Sequence, residues 1–154
     1  MTHSMLNSPP TWNVIQEEMR RACTAHPDLC RARSVGISRN GETLNMLTIR
    51  GGPLKAMVVA GSHPNEPIGG ATLMTLAQHA LTHASAREQI TWHLIPSSDP
   101  DGALLNEQWY SRDWPPTLES YHRGFFRPAA HEQPEWTFPA PGFTGRLPET
   151  KALM

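Results

Sequence analysis

The sequence predicts an α/β fold with a mixed, partly parallel sheet, and three observations carry that expectation. Residues 57–70, M-V-V-A-G-S-H-P-N-E-P-I-G-G, pass from an apolar strand through a tight turn into the opening of an amphipathic helix. A second apolar strand, residues 90–95, follows that helix. Strand, loop, helix and strand over this length make a βαβ unit, with a right-handed crossover and two parallel strands. Upstream, Asn40-Gly41 between two short stretches is a hairpin signal that adds antiparallel pairing.

Each element has its own local reason. Residues 1–11 read as a flexible N-terminus, and residues 12–154 as one domain. From 12 to 25, Trp12, Ile15, Met19, Ala22 and Cys23 recur at helical spacing while Glu17, Glu18, Arg20 and Arg21 cover the other face, and His26-Pro27-Asp28 stops the helix. Residues 33–38 and 43–50 are the arms of the hairpin around Arg39-Asn40-Gly41-Glu42, and Gly51-Gly52-Pro53 is a second turn. Residues 54–60 are apolar without alternation after Lys55, which predicts a strand buried on both faces. Residues 67–84 are the best helix, with Pro67 in its first turn and a stripe through Leu73, Leu76, Ala77, Ala80 and Ala84. Nine of the fifteen prolines fall from Pro96 onward, so residues 103–146 are expected to be loop-rich, with aromatic side chains such as Trp109, Tyr121 and Phe126 spaced along them.

Bulk properties narrow the function. Thirteen basic against fourteen acidic residues, a net charge of -1, leave no footprint for nucleic acid or an anionic membrane surface. No apolar run approaches the ~20 residues of a membrane span and the first ten residues do not resemble a secretory signal, so a cytoplasmic location is expected. Cys23 and Cys30 fit neither a zinc ribbon nor a disulfide framework and read as unpaired thiols. His79 and His83, four apart on the long helix, read as members of an exposed face.

The chemistry concentrates in the turn after the strand at 54–60. In open α/β sheets ligands bind beyond the carboxyl ends of parallel strands. One such end carries His63 and Glu66, the other Ser97-Ser98-Asp99-Pro100-Asp101-Gly102. An imidazole and a carboxylate at H-x-x-E spacing on a turn can converge on one metal ion, since catalytic zinc takes three protein ligands and an open position. The same pair can instead cap the turn and complement the helix dipole. Spacing alone leaves both readings open.

Three segments in order carry a resemblance that separates them. G-S-H-P-N-E-P-I-G-G resembles the metal-binding segment of the zinc carboxypeptidase family, S-D-P-D-G at 98–102 resembles its Asn-Pro-Asp-Gly turn, and S-V-G-I-S-R-N-G-E-T-L at 34–44 resembles its early hairpin. The resemblance implies an α/β sheet flanked by helices, His63 and Glu66 as two ligands of Zn2+, and a metal-assisted hydrolysis of a terminal peptide or N-acyl amide bond. Asp101 is then a candidate to orient His63 from behind. Arg112 and Arg127 are candidates to bind the substrate, Arg127 because Phe125 and Phe126 beside it would shield an ion pair.

The family also uses a third ligand histidine at the end of a later strand, and a glutamate base beyond it. Neither His122 nor His131 stands at the end of an apolar strand, and residues 147–154 resemble the start of the helix that precedes the third-ligand strand. The expectation is therefore the N-terminal part of a longer enzyme, a sheet incomplete on its C-terminal side, with no general base inside the chain. Two alternatives stand beside it: a non-catalytic truncated homologue or binding module, and a deacylase of the aspartoacylase and succinylglutamate desuccinylase type, against which the Asp-Pro-Asp-Gly turn weighs. Oligomeric state is open.

Overall fold

The hairpin and the βαβ unit join in one sheet. A computed structural model describes residues 8–111, 114–134 and 145–154, and its strands are β1 (Cys30–Ile37), β2 (Thr43–Ile49), β3 (Leu54–Val59) and β4 (Ile90–Ile95). They lie in the order β1-β2-β4-β3. β2 runs antiparallel to both β1 and β4, while β3 and β4 are parallel, with Leu54 opposite Ile90 and Val59 opposite Ile95. β1 begins three residues before the alternating stretch predicts, because Cys30 pairs with Ile49 at the far end of β2.

Helix α1 (Trp12–Ala25) has the boundaries its periodicity predicts, and the Thr11 hydroxyl caps it by accepting from the Val14 N–H at 3.4 Å. Helix α2 (Ile68–Thr82) supplies the crossover. Both pack on one face of the sheet, where Ile15 and Met19 of α1, Leu73 and Ala77 of α2, and Leu47 and Leu94 of the strands form the core. Burying side chains of this size is worth about 1.5–3 kcal/mol each before chain entropy is counted, so this layer is the main source of stability. Among the described residues no helix is long and apolar enough to cross a membrane.

Two expectations are corrected. β3 is not buried on both faces: Leu54 and Met57 are 61% and 50% exposed. The reason is position, for β3 pairs only with β4 and stands at the sheet edge, with Val58 and Ala60 alone leaning on the core. The segment read as a turn followed by loop opens instead with helix α3 (Pro100–Tyr110). The Asp99 carboxylate accepts from the Gly102 N–H at 3.0 Å, and Pro100 takes the first helical position, where its missing N–H costs nothing. The residues of a tight turn are here the residues of a helix start.

Two shorter helices follow, α4 (Leu118–Gly124) and α5 (Pro148–Leu153). Asn106, fully buried on α3, ties down the exit of α4. Its amide nitrogen donates to the Phe126 carbonyl at 2.7 Å, and its oxygen accepts from the Phe126 N–H at 2.9 Å and the Trp109 indole at 3.0 Å. Helix α5 lies against β1, where a Cβ on Gly36 would collide with the Ala152 side chain. Beside it Glu149, with no exposed surface, accepts from the Arg39 N–H at 3.0 Å and from its guanidinium at 3.1 Å.

Candidate functional site

The carboxyl ends of the parallel pair are bound to each other before they carry any chemistry. The Ala60 N–H donates to Ile95 and the Ser98 N–H to Ala60, each at 2.9 Å, so the loops after β3 and β4 leave the sheet side by side. Gly61 follows with a φ of 63°, and a Cβ there would come within 2.6 Å of the Ser97 hydroxyl. Only glycine meets both demands. The chain then closes a turn in which the Glu66 N–H donates to the His63 carbonyl at 3.0 Å. That turn puts the two side chains on the same side of the loop.

Their reactive atoms are paired. His63 Nδ1 lies 3.1 Å from Glu66 Oε1, and the side chains are 32% and 57% exposed. With zinc at about 2.0–2.1 Å from nitrogen and 2.0–2.2 Å from oxygen, this 3.1 Å separation corresponds to a ligand–metal–ligand angle of roughly 95–100°. The separation is that of two adjacent ligands of one ion, although here the two atoms contact each other directly. Among the described residues no group of three or more His, Cys, Asp or Glu side chains is arranged to hold a metal, so the corner by itself offers two donors. Behind it lies a cavity of about 30 Å³, walled by Trp12, Ile15, Pro64 and Tyr110, with room for one or two waters. Tyr110 is buried there, and burial first, then the Glu107 charge, push its hydroxyl well above the usual phenol range.

Asp101 does not contact the pair. Asp101, expected to orient His63, turns toward the β1–β2 hairpin: its carboxylate accepts from the Ser38 hydroxyl at 2.6 Å and from the Asn40 N–H at 3.2 Å. It stands in the first turn of α3, and that face of the helix meets the hairpin. Arg127 is exposed and has no ion pair among the described residues, and its neighbours Phe125 and Phe126 are themselves 40% and 36% exposed, so they do not enclose it. Arg112 lies outside the described residues. His79 and His83 stack with ring centroids 4.4 Å apart on the exposed surface of α2, as an ordinary helix face.

Sequence reasoning passed over the polar cluster under the site. Arg39 joins Glu149 at 3.1 Å and approaches Asp99 at 3.8 Å, with Asp101 close by on the same helix turn. Burial raises the Asp99 pKa, against the Gly102 hydrogen bond and the Arg39 charge, which lower it. No local pattern signals this cluster, because Arg39 and Glu149 are 110 residues apart in the chain. Asn106 was equally silent, although an asparagine four residues after a helix-capping Asp-Pro-Asp-Gly could have been read as an inward-facing position.

A mixed sheet with a His–Glu pair at the carboxyl edge of its parallel strands defines an α/β domain with its candidate site at the sheet edge. The sequence model of one family, described as zinc carboxypeptidase, matches residues 15–129. The chain belongs to the zinc carboxypeptidase family, and both His63 and Glu66 fall inside the matched region.

Solved structures agree on the fold. Bovine thrombin-activatable fibrinolysis inhibitor, in complex with tick carboxypeptidase inhibitor, superposes with a TM-score of 0.59 at 16% identity over 63% of this chain and 33% of that one. A metallo-carboxypeptidase from Burkholderia cenocepacia gives 0.56 at 18% identity over 66% of this chain and 33% of that one. A metallo-carboxypeptidase from Pseudomonas aeruginosa, in complex with (2-guanidinoethylmercapto)succinic acid, gives 0.51 at 21% identity over 75% of this chain and 36% of that one. The chain therefore spans about a third of the length of these structures.

Proposed function

We propose that this chain carries the metal-binding corner of a zinc-dependent, carboxypeptidase-type hydrolase that cleaves a terminal peptide or N-acyl amide bond. The observation that supports it is the 3.1 Å approach of His63 Nδ1 to Glu66 Oε1 at the carboxyl edge of the parallel pair. His63 and Glu66 hold the metal as an imidazole and a carboxylate donor. Bound zinc supplies a water acidified toward a pKa of about 7 and polarises the substrate carbonyl. The chain's own part is to fix the two donors: Gly61 seats the loop against Ser97, and Trp12, Ile15 and Tyr110 wall the small cavity behind it. Arg127 and Arg112 are assigned to the substrate carboxylate, which a guanidinium grips with a two-pronged clamp; Arg127 is exposed and has no acidic partner among the described residues. The family match favours this reading over the aspartoacylase-type deacylase.

A third donor and a proton-transferring carboxylate are assigned to polypeptide outside the described residues. Two donors hold zinc more weakly than three, so the isolated chain is expected to bind zinc loosely and to turn over slowly or not at all. The corner of only two donors also favours a second reading, a non-catalytic binding module. Zinc content after dialysis, measured for wild type, His63→Ala and Glu66→Ala, tests the metal corner: both variants should lose most of the bound zinc, and equal zinc in all three would sink the assignment. Assaying hydrolysis of a short peptide and an N-acyl amino acid, by this chain and by a version extended with a segment bearing the missing histidine and glutamate, separates enzyme from binding module. Turnover only in the extended protein supports the enzyme.

A further inference from the structure

We propose that Cys23 and Cys30 form a dithiol that a hydroperoxide oxidises to an intramolecular disulfide, stapling the end of α1 to the start of β1. The two residues come together because the chain reverses sharply between them. After α1 the N–H groups of Leu29 and Cys30 both donate to the His26 carbonyl, at 3.1 and 2.8 Å, and return Cys30 to the side of the last helical turn. The sulfurs are 3.6 Å apart, with the Cys23 thiol donating to Cys30. A disulfide requires about 2.05 Å, so closing a 3.6 Å gap asks each sulfur to move by less than about 1 Å.

The two thiols differ as an attacking and a resolving pair should. Cys23 is half-buried, whereas Cys30 is 4% exposed and is the first residue of β1 in the core. Burial first, then the hydrogen bond with Cys23, raise the Cys30 pKa and hold it as a thiol. An open groove of about 440 Å³ borders both sulfurs and is lined by Arg20, Arg31, Arg33 and Asn45. Arg20 is committed to Glu17, but Arg31 and Arg33 have no acidic partner among the described residues, so the mouth of the groove is positive. Cys23 is therefore the sulfur that a small oxidant in the groove reaches first.

The chemistry balances within the pair. The Cys23 thiolate attacks one peroxide oxygen, the O–O bond breaks, and the leaving oxygen departs as hydroxide or alkoxide, leaving a sulfenic acid. The Cys30 sulfur then attacks the Cys23 sulfur and releases the sulfenic oxygen as water, with the Cys30 proton going to that leaving group. Two thiols and one hydrogen peroxide give one disulfide and two waters, the two electrons coming one from each sulfur.

Hydrogen peroxide titration of the 154-residue chain, followed by non-reducing peptide mapping, tests the assignment directly. The expected result is loss of both free thiols, a mass lower by about 2 Da, a 23–30 cross-link reversed by dithiothreitol, and a thermal midpoint raised by about 5 °C or more. A Cys23–Cys23 bond between chains overturns the proposal, as does a sulfinic acid at Cys23 with Cys30 still titratable. Cys30→Ala should accumulate a sulfenic acid that dimedone traps, where wild type escapes labelling; equal labelling counts against a resolving role for Cys30. In Cys23→Ser the buried Cys30 should stay reduced, and oxidation at the wild-type rate would refute the order of events.

Discussion

Three acidic side chains and one arginine meet beneath the sheet edge, and their accounts do not close. Asp99 Oδ2 and Glu149 Oε2 are both buried and without a hydrogen-bond partner among the described residues. Arg39 is the cation that holds Glu149, whose side chain has no exposed surface. Removing it by Arg39→Ala should therefore cost about 3 kcal/mol in urea unfolding, because the buried Glu149 loses its cation and keeps only the N–H of residue 39. A loss below about 0.5 kcal/mol would mean that the pair behaves as a surface one. Asp99 gives a pH signature of the opposite sense to an ordinary salt-bridged carboxylate. Its folded pKa is raised, with burial the largest cause. The native state then keeps a proton that the unfolded chain releases, so this contribution is fully present below the unfolded pKa and is lost as pH rises through the folded one. Asp99→Asn keeps the capping oxygen and removes the charge. Relative to wild type it should gain stability at pH 7 over pH 4, and an unchanged difference between the two pH values would show that Asp99 is ionised at no cost.

At the scale of elements, the α3–α4 unit depends on one amide. Asn106 satisfies both backbone groups of Phe126, the Gly102 carbonyl and the Trp109 indole. Asn106→Leu keeps the volume and orphans these groups, at about 1–3 kcal/mol for each that cannot reach water. Hydrogen exchange should rise across residues 117–128 while the amides of β2 and β4 stay protected; uniform exchange would place Asn106 in the global core instead. Elements of this kind mark the border of what the sequence discloses. α1, the hairpin, α2 and β4 were legible, because a repeating apolar pattern and a capping or turn residue sit within a few positions of each other. The closeness of His63 and Glu66 was legible for the same reason, as both lie on one short loop. The burial of β3 was misread because an edge strand and a central one have the same apolar composition, and only the partner differs. α3 was misread because Asp-Pro-Asp-Gly serves a turn and a helix start alike. Arg39 with Glu149, and Asp101 with the hairpin, join distant parts of the chain and leave no local trace.

Among the described residues the sheet ends at β3, a six-residue edge strand with Leu54 and Met57 exposed. Edges of this kind pair with other strands unless charge interrupts them, and on β3 the charge is confined to Lys55 at its beginning. Met57→Lys should lower concentration-dependent self-association in light scattering or sedimentation at an unchanged unfolding midpoint, and undiminished association would move the sticky surface elsewhere. The sheet order has a different consequence, in time rather than in space. Of the four described strands β4 is synthesised last, yet it lies between β2 and β3, with Leu94 opposite Leu47 on one side and Val58 on the other. Until residue 95 has left the ribosome, the hairpin and the β3–α2 segment share no sheet hydrogen bonds. β4 is therefore a keystone: without it the hairpin and the β3–α2 segment meet only through side chains of the core, and the His63 loop gains its second wall only when Ile95 and Ser98 arrive to receive it.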